Sequence, residues 1–121
     1  MHSTRRVLFA IPFILASAGV ALAHAHLKKA EPPINSVVTT APVEVVIYFT
    51  ESVEPKFSSI EVQNAHGQRV DKGETRTAPG DATRLIASLT TLTPGTYKVM
   101  WHATSVDTHK TEGTYRFTVA Q

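Results

Sequence analysis

The chain has 121 residues, a formal net charge of +2 at pH 7 and no cysteine. This length predicts a single small domain, because domains typically contain about 100–150 residues. The lack of cysteine excludes thiolate metal sites, redox dithiols and a cysteine nucleophile.

The first residues are typical of a secretory signal peptide. Arg5 and Arg6 give the start a positive charge, and residues 7–20 form an apolar run that is too short to span a bilayer. Residues 21–23 (ALA) then supply a cleavage site with small residues at its first and third positions. We therefore predict that residues 1–23 are a signal peptide that is removed on export. The pattern fits either the general or the twin-arginine export route.

Two cleavage positions fit this pattern, and both place a histidine at the new amino terminus. A cut after Ala23, which we prefer, makes His24 the first residue, and a cut after Ala25 makes it His26. Without the two arginines of the signal peptide, ten of the 12 basic residues remain and balance the ten acidic residues. A formally neutral domain gives no electrostatic argument for binding nucleic acid or anionic lipid.

Alternating apolar residues in the exported chain predict β-strands. A period of two places every second side chain on one buried face, as for Trp101, while its neighbour His102 points to the opposite face. The clearest strands are predicted at residues 43–49, 97–102 and 115–119, and weaker ones at residues 58–63 and 83–89.

Turn residues separate these runs, and no window has the apolar period of an amphipathic helix. Several short strands with frequent turns favour an all-β fold, an immunoglobulin-like Greek-key β-sandwich formed by residues 24–121, with a closed barrel as the alternative. Residues 71–82 are the most polar stretch and are predicted to form a flexible loop.

His24 gains a second metal-binding group when the signal peptide is removed. Its free α-amine and its ring Nδ1 can close one small chelate ring, so one residue supplies two nitrogen ligands with little extra loss of chain entropy. The amine has an unperturbed pKa of about 7.7–8.0, so a metal displaces its proton readily near neutral pH. We therefore predict that His24 is a metal ligand.

An Asp-x-His pair follows the predicted strand 97–102. Asp107 and His109 are two positions apart, so in an extended segment both side chains point to the same side. With His24 they complete a set of three nitrogens and one oxygen, and a tetragonal site of that composition suits Cu(II). Taken alone, an Asp-x-His pair in a loop is more often solvated or caps a turn.

His26 offers a different way to bind copper. A histidine at the third position of a free amino terminus can hold Cu(II) or Ni(II) in a square plane, together with the amine and two deprotonated backbone amides. This mode needs neither Asp107 nor His109, and it competes with the first mode for the same amine. The remaining histidines of the exported chain, His66 and His102, are predicted to be solvent-exposed.

Three segments resemble the CopC family of periplasmic copper-binding proteins. They are HAHLKKAEP (residues 24–32), VIYFTESVEPKFSSIEV (46–62) and PGTYKVMWHATSVDTHKTEGTYRFTV (94–119), of which the last is the most specific. The resemblance covers essentially the whole exported chain. It implies a Greek-key β-barrel or sandwich with a Cu(II) site, located in the periplasm of a Gram-negative type of cell.

The resemblance also implies a ligand set. In the family, the ligands are the mature amino-terminal histidine, through its amine and imidazole, and the Asp-x-His pair, which carry over to His24, Asp107 and His109. His26 takes the third mature position, near the metal, and Glu51 matches an acidic residue expected to support the site. The methionine-rich loop that some members use for Cu(I) is missing. Family members often act beside an inner-membrane copper protein, CopD, so we expect a partner of that kind. We expect the chain itself to be a monomer.

The leading hypothesis is a non-enzymatic carrier or buffer of Cu(II) in copper homeostasis or copper resistance. A second hypothesis is an oxidative copper enzyme of the histidine-brace type, but the carboxylate of Asp107 favours Cu(II) over Cu(I) and opposes redox cycling. A third is a metal-free immunoglobulin-like interaction module, which leaves His24 and the Asp-x-His pair unexplained. Fold and ligands alone do not decide among them.

Overall fold

β-strands joined by turns build the part of the chain that the structure describes. The computed structural model describes residues 25–121, so the predicted signal peptide, both of its arginines and His24 lie outside the described residues. A single 3₁₀ turn, Pro55–Phe57, interrupts the strands within this range. In chain order the strands are β1 (Leu27–Glu31), β2 (Val37–Val38), β3 (Glu44–Phe49), β4 (Ser59–Gln63), β5 (Asp71–Ala78), β6 (Asp81–Leu89), β7 (Gly95–Thr104) and β8 (Lys110–Val119).

The strands form two four-stranded sheets, ordered β1-β3-β6-β5 and β2-β8-β7-β4. Neighbouring strands are antiparallel except β2 and β8, which pair in parallel. Only the β5–β6 and β7–β8 hairpins keep consecutive strands side by side, and the other connections change sheet, as in a Greek-key sandwich. The predicted all-β sandwich is confirmed in preference to the closed barrel. Within residues 25–121, no helix is long and apolar enough to cross a membrane.

The core lies between the two sheets and follows the predicted alternation. Burial of these apolar faces is the main stabilising force, at about 25 cal/mol per Å² removed from water. The prediction is wrong for Val43, which precedes β3 and is 77% exposed. The alternating residues of β3 and β7 that were predicted to be buried are buried: Val45, Ile47, Phe49, Tyr97, Val99 and Trp101.

Residues 71–82 do not form the flexible loop that their polarity predicts. Asp71–Ala78 form β5, which lies at the edge of its sheet and pairs with β6. An edge strand tolerates polar residues because one side stays open to water, and two shifts in register also accommodate them. The buried Asp71 carboxylate accepts hydrogen bonds from the backbone amides of Val62 and Gly73, at 2.9 and 3.0 Å. The first of these bonds ties β5 to β4 in the other sheet.

The β7–β8 hairpin fixes the position of the loop that carries the Asp-x-His pair. Each strand has ten residues, and they pair in unbroken register from Gly95 opposite Val119 to Thr104 opposite Lys110. Because the register does not slip, the loop of residues 105–109 is held at one end of the sandwich. The same end receives the start of the described chain, which leads into β1.

Gly113 leaves room for the tryptophan of the core. Trp101 and Gly113 lie opposite each other in the β7–β8 ladder, and a Cβ atom at position 113 would lie 2.6 Å from Cζ2 of the indole. The indole also packs edge-on against Phe49 of the other sheet, with ring centroids 5.2 Å apart. Glycine is therefore required at position 113 by this contact.

We expect Gly113→Ala to destabilise the fold by about 1–3 kcal/mol, because the added methyl group forces the Trp101 indole out of its packed position. Urea denaturation gives the free energy of unfolding. Thr114→Ala, which shortens an exposed side chain on the same strand, is the matched control. Equal stability of both variants and the parent chain would contradict the proposed contact.

Candidate metal centre

Ser105 organises the loop between β7 and β8. Its side chain is buried, at 1% exposure, and its hydroxyl donates to the carboxylate of Asp107. The same oxygen accepts from the backbone amide of His109 at 3.2 Å, while the amide of Ser105 donates to the carbonyl of His109 at 2.9 Å. One serine thus connects to both residues of the Asp-x-His pair.

Asp107 and His109 lie side by side at the end of the sandwich. Oδ1 of Asp107 is 3.2 Å from Nδ1 of His109, and the side chains are 40% and 33% exposed. They share a side as expected, but through a turn and not an extended segment. Thr108 between them has a φ of 73°, which is a strained conformation for a β-branched residue. The pair presents one carboxylate and one imidazole to solvent.

The loop holds the carboxylate in its charged form. The hydrogen bond from Ser105, followed by the contacts with His109, lowers the pKa of Asp107 below its ordinary value. Asp107 is therefore ionised at neutral pH and remains so further into the acid range than a free aspartate. An ionised carboxylate is the form that binds a metal cation.

The segment after β3 supports this loop from the other sheet. The amide of Val106 donates to the carbonyl of Ser52 at 3.2 Å, Val53 forms a β-bridge with Ser105, and the amide of Glu54 donates to Thr104 at 2.8 Å. These backbone bonds fix the loop independently of its side chains.

The start of the described chain reaches the same end of the sandwich. Ala25 is fully buried, and its carbonyl accepts a hydrogen bond of 2.6 Å from the hydroxyl of Thr111, two positions after His109. Thr50 secures the next residue, because its hydroxyl accepts from the amide of His26 at 3.0 Å and its own amide donates to the His26 carbonyl at 2.9 Å. Residues 25 and 26 are thus attached to both sheets.

The structure brings two of the site residues that the sequence predicts into contact and has two others at the same end of the sandwich. Asp107 and His109 are in contact, and the backbone of His26 lies at the same end of the sandwich. Glu51 is exposed and lies between Thr50 and Ser52, whose backbones bond to His26 and to the loop respectively. His24 lies outside the described residues.

The side chains of the described residues do not by themselves form a complete metal site. Among residues 25–121, no three or more histidine, aspartate or glutamate side chains are grouped so that they could hold a metal ion. Asp107 and His109 could provide two ligands, so a tetragonal site built on them would need further ligands from elsewhere.

The sequence did not reveal which polar residues hold the site together. Ser105 carries a weak signal, because a serine two positions before an aspartate is a common turn arrangement. Thr111 and Thr50 carry none, since their partners are 86 and 24 positions away in the chain. Only the sandwich topology makes those partners neighbours.

Comparison with known proteins identifies the family. The model of the CopC domain matches residues 27–120. The chain belongs to the CopC family. This match covers every strand described above, including the loop with Asp107 and His109.

Individual relatives and solved structures are similar to this chain over most of its length. The chain is 40% identical over 98 residues to protein YobA of Escherichia coli strain K12, which covers 80% of this chain and 79% of YobA. The crystal structure of CopC from Methylosinus trichosporium OB3b superposes with a TM-score of 0.75 at 31% identity, covering 80% of this chain and 94% of that one. PcoC, a methionine-rich copper resistance protein from Escherichia coli, gives a TM-score of 0.70 at 32% identity, covering 80% and 99%.

Membership of the CopC family supports a copper-related role for this chain. It also agrees with the β-sandwich and with the family resemblance drawn from the three sequence segments. None of these names describes an enzymatic activity.

We expect Ser105→Ala to raise the pKa of Asp107 toward its ordinary value, because the variant loses the hydrogen bond that most favours the charged carboxylate. An NMR titration that follows the carboxyl carbon of Asp107 measures this directly. Ser59→Ala, which removes an exposed hydroxyl on β4, serves as the control and leaves the pKa of Asp107 unchanged. An unchanged pKa in Ser105→Ala would show that this hydroxyl does not stabilise the carboxylate.

Proposed function

We propose that this chain is a periplasmic Cu(II)-binding protein that carries or buffers copper in copper homeostasis or resistance. Its proposed ligands are the α-amine and imidazole of His24, the carboxylate of Asp107 and the imidazole of His109. The observation that carries the proposal is the hydrogen bond between Ala25 and Thr111, because it attaches the chain next to His24 beside the loop that bears the other two ligands.

Covalent geometry supports this assignment of His24. Adjacent Cα atoms are about 3.8 Å apart, so the first residue of the exported chain begins one bond step from the buried Ala25. Thr111 and His109 are two positions apart, which spans about 7 Å along a strand. The amine and ring of His24 therefore have the reach to meet Asp107 and His109 on one metal ion.

The donor set is suited to Cu(II). Three nitrogens and one charged oxygen in a tetragonal arrangement match the preference of Cu(II), which also has the highest affinity among the divalent first-row metals. A carboxylate ligand adds negative charge and so favours Cu(II) over Cu(I). Since the site uses only amine, imidazole and carboxylate groups, it requires neither cysteine nor a methionine-rich loop.

The fold also opposes the competing mode at the amino terminus. That mode requires the backbone amides of Ala25 and His26 to lose their protons and bind the metal. In the structure, the amide of His26 donates to the hydroxyl of Thr50 at 3.0 Å, so the competing mode would have to break this bond and release the segment from Thr50. Binding through Asp107 and His109 leaves the bond intact.

Delivery to another protein is the second part of the proposal. A carrier must release its metal, and a site whose side chains are 33% and 40% exposed can be approached by an acceptor. We propose an inner-membrane copper protein of the CopD type as that acceptor, with this chain acting as a monomer. Glu51, exposed at the same end of the sandwich, is proposed to support the site electrostatically.

We expect His109→Ala to weaken Cu(II) binding by the exported chain at least about 100-fold, because replacing even supporting residues of metal sites commonly costs 10–100-fold. Competition with a chelator of known affinity, monitored by electron paramagnetic resonance, measures the loss. His66→Ala removes an exposed histidine in a distant turn and keeps the parent affinity. Equal affinity of His109→Ala and the parent chain would leave only the amino-terminal mode.

The proposed site also predicts a pH dependence. Protons compete with copper for the amine and both imidazoles, so the affinity should fall as the pH drops through about 6.5, the reference pKa of histidine. Asp107 does not add to this loss near neutral pH, because its pKa is lowered. Affinity that stays constant from pH 7.5 to about pH 5 would contradict this ligand set.

Thr111→Val tests whether the anchored amino terminus matters. The substitution keeps the branched shape but removes the hydroxyl that donates to Ala25. The net value of a hydrogen bond is about 0.5–1.5 kcal/mol, so we expect Cu(II) affinity to fall by about 2- to 10-fold with every ligand still present. Thr114→Val on the same strand is the control. Identical affinities in both variants would show that the anchor does not contribute.

A further inference from the structure

The outer face of the β7–β8 hairpin carries a second group of metal-binding side chains. His102 on β7 lies directly opposite Glu112 on β8, and Nδ1 of His102 is 3.1 Å from Oε2 of Glu112. Both side chains are largely exposed, at 63% and 74%. They point away from the core and from the face on which Trp101 is buried.

Met100 lies beside this pair on the same face. It is two positions before His102, so the pleat of β7 directs both side chains outward. A shallow recess of about 370 Å³ is lined by Met100, Trp101, His102, Glu112, Gly113 and Thr114. Within residues 25–121, Met100 is the one methionine, and it therefore supplies the only thioether of the described chain.

A second recess meets the first at the same two residues. It has a volume of about 470 Å³ and is lined by His102 and Glu112 together with the exposed Phe57 and with Lys110. The His102–Glu112 pair thus separates two open hollows, and solvent or a small ion reaches it from both sides.

The position of Glu112 determines which nitrogen of His102 is free to bind. A carboxylate 3.1 Å from Nδ1 favours the tautomer of the neutral imidazole that carries its proton on Nδ1, which leaves Nε2 as the unprotonated nitrogen. Carboxylates hold metal-binding histidines in this way in many metal sites. Glu112 acts here as a positioning residue for the ring.

We propose that Nε2 of His102 and the sulfur of Met100 bind a soft monovalent metal ion, Cu(I), at the outer face of β7–β8. Thioether sulfur selects Cu(I) over divalent ions, and imidazole binds copper in either oxidation state. This site is distinct from the one proposed for Cu(II). Glu112 is three positions beyond His109, about 10 Å of extended chain, and its side chain lies on the outer face of β8, away from the core.

A chain with both sites would hold copper in two oxidation states at two places. This chain lacks the methionine-rich loop that some members of the family use for Cu(I), so a site built from several methionines is excluded. A mixed site needs only one methionine when a histidine is next to it on the same face. The proposed Cu(I) site is additional to the proposed Cu(II) site and does not depend on it.

The test uses Ag(I), which has the charge and ligand preferences of Cu(I) but does not change oxidation state. The exported chain is prepared with the substitution His109→Ala, so that the proposed Cu(II) site is disabled. With ¹³C-labelled methionine methyl groups, the exported chain gives a single signal, that of Met100. We expect Ag(I) to shift this signal together with the ring resonances of His102.

Substitutions separate the two ligands from the positioning residue. Met100→Leu and His102→Ala should each weaken Ag(I) binding by about tenfold or more, whereas His66→Ala leaves it unchanged. Glu112→Ala should weaken binding less and should also change the ratio of Nδ1–H to Nε2–H tautomers of His102, read from ¹⁵N chemical shifts without metal. A purely structural role of Glu112 would leave that ratio as it is.

The proposal is overturned if Ag(I) leaves the Met100 methyl signal in place, or if His102→Ala binds Ag(I) as well as the parent. Because every sample carries His109→Ala, neither result bears on the Cu(II) site. Conversely, failure of the Cu(II) titrations leaves the Ag(I) result standing.

Discussion

The hydrogen bond from the Thr111 hydroxyl to the Ala25 carbonyl joins two parts of the chain that are 86 positions apart. It works together with the pairing of Thr50 and His26, which attaches the next residue to the other sheet. A free amino terminus normally loses conformational entropy when it is held in place. Here the sandwich has already ordered the first described residues. A metal that binds at this end of the sandwich therefore has little ordering left to impose on residues 25 and 26, and the loop of residues 105–109 is fixed by backbone bonds.

The loop with the Asp-x-His pair is also held in place by hydrogen bonds. Ser105 is buried, bonds to the carboxylate of Asp107 and to the backbone of His109, and lowers the pKa of the carboxylate. Thr108 adopts a strained left-handed conformation between them. Strain of this kind persists only where surrounding bonds fix it, and it is common at functional sites. A small domain without cysteine thus obtains a rigid pair of carboxylate and imidazole side chains from hydrogen bonds and an unbroken β-hairpin register.

Much of the fold could be predicted from the sequence because buried and exposed side chains alternate along each strand. The alternation of apolar residues at 43–49 and 97–102 predicted β3 and β7, and the core side chains of both strands face inward as expected. Residues 71–82 were predicted wrongly because an edge strand has no apolar pattern of its own. The candidate ligands could be named from residue type and spacing. The bonds of Thr111 and Thr50 could not, since they depend on which strand ends meet in space. His102 was correctly placed on the outer face, but its partner Glu112 is set by the register of β7 and β8.

A crystal structure of the exported chain with one equivalent of Cu(II) tests the central claim most directly. Our account predicts copper bound by the amine and ring of His24 together with Asp107 and His109, while the carbonyl of Ala25 still accepts its bond from Thr111. Copper held by the backbone amides of residues 25 and 26, with Asp107 and His109 left without metal, would contradict it.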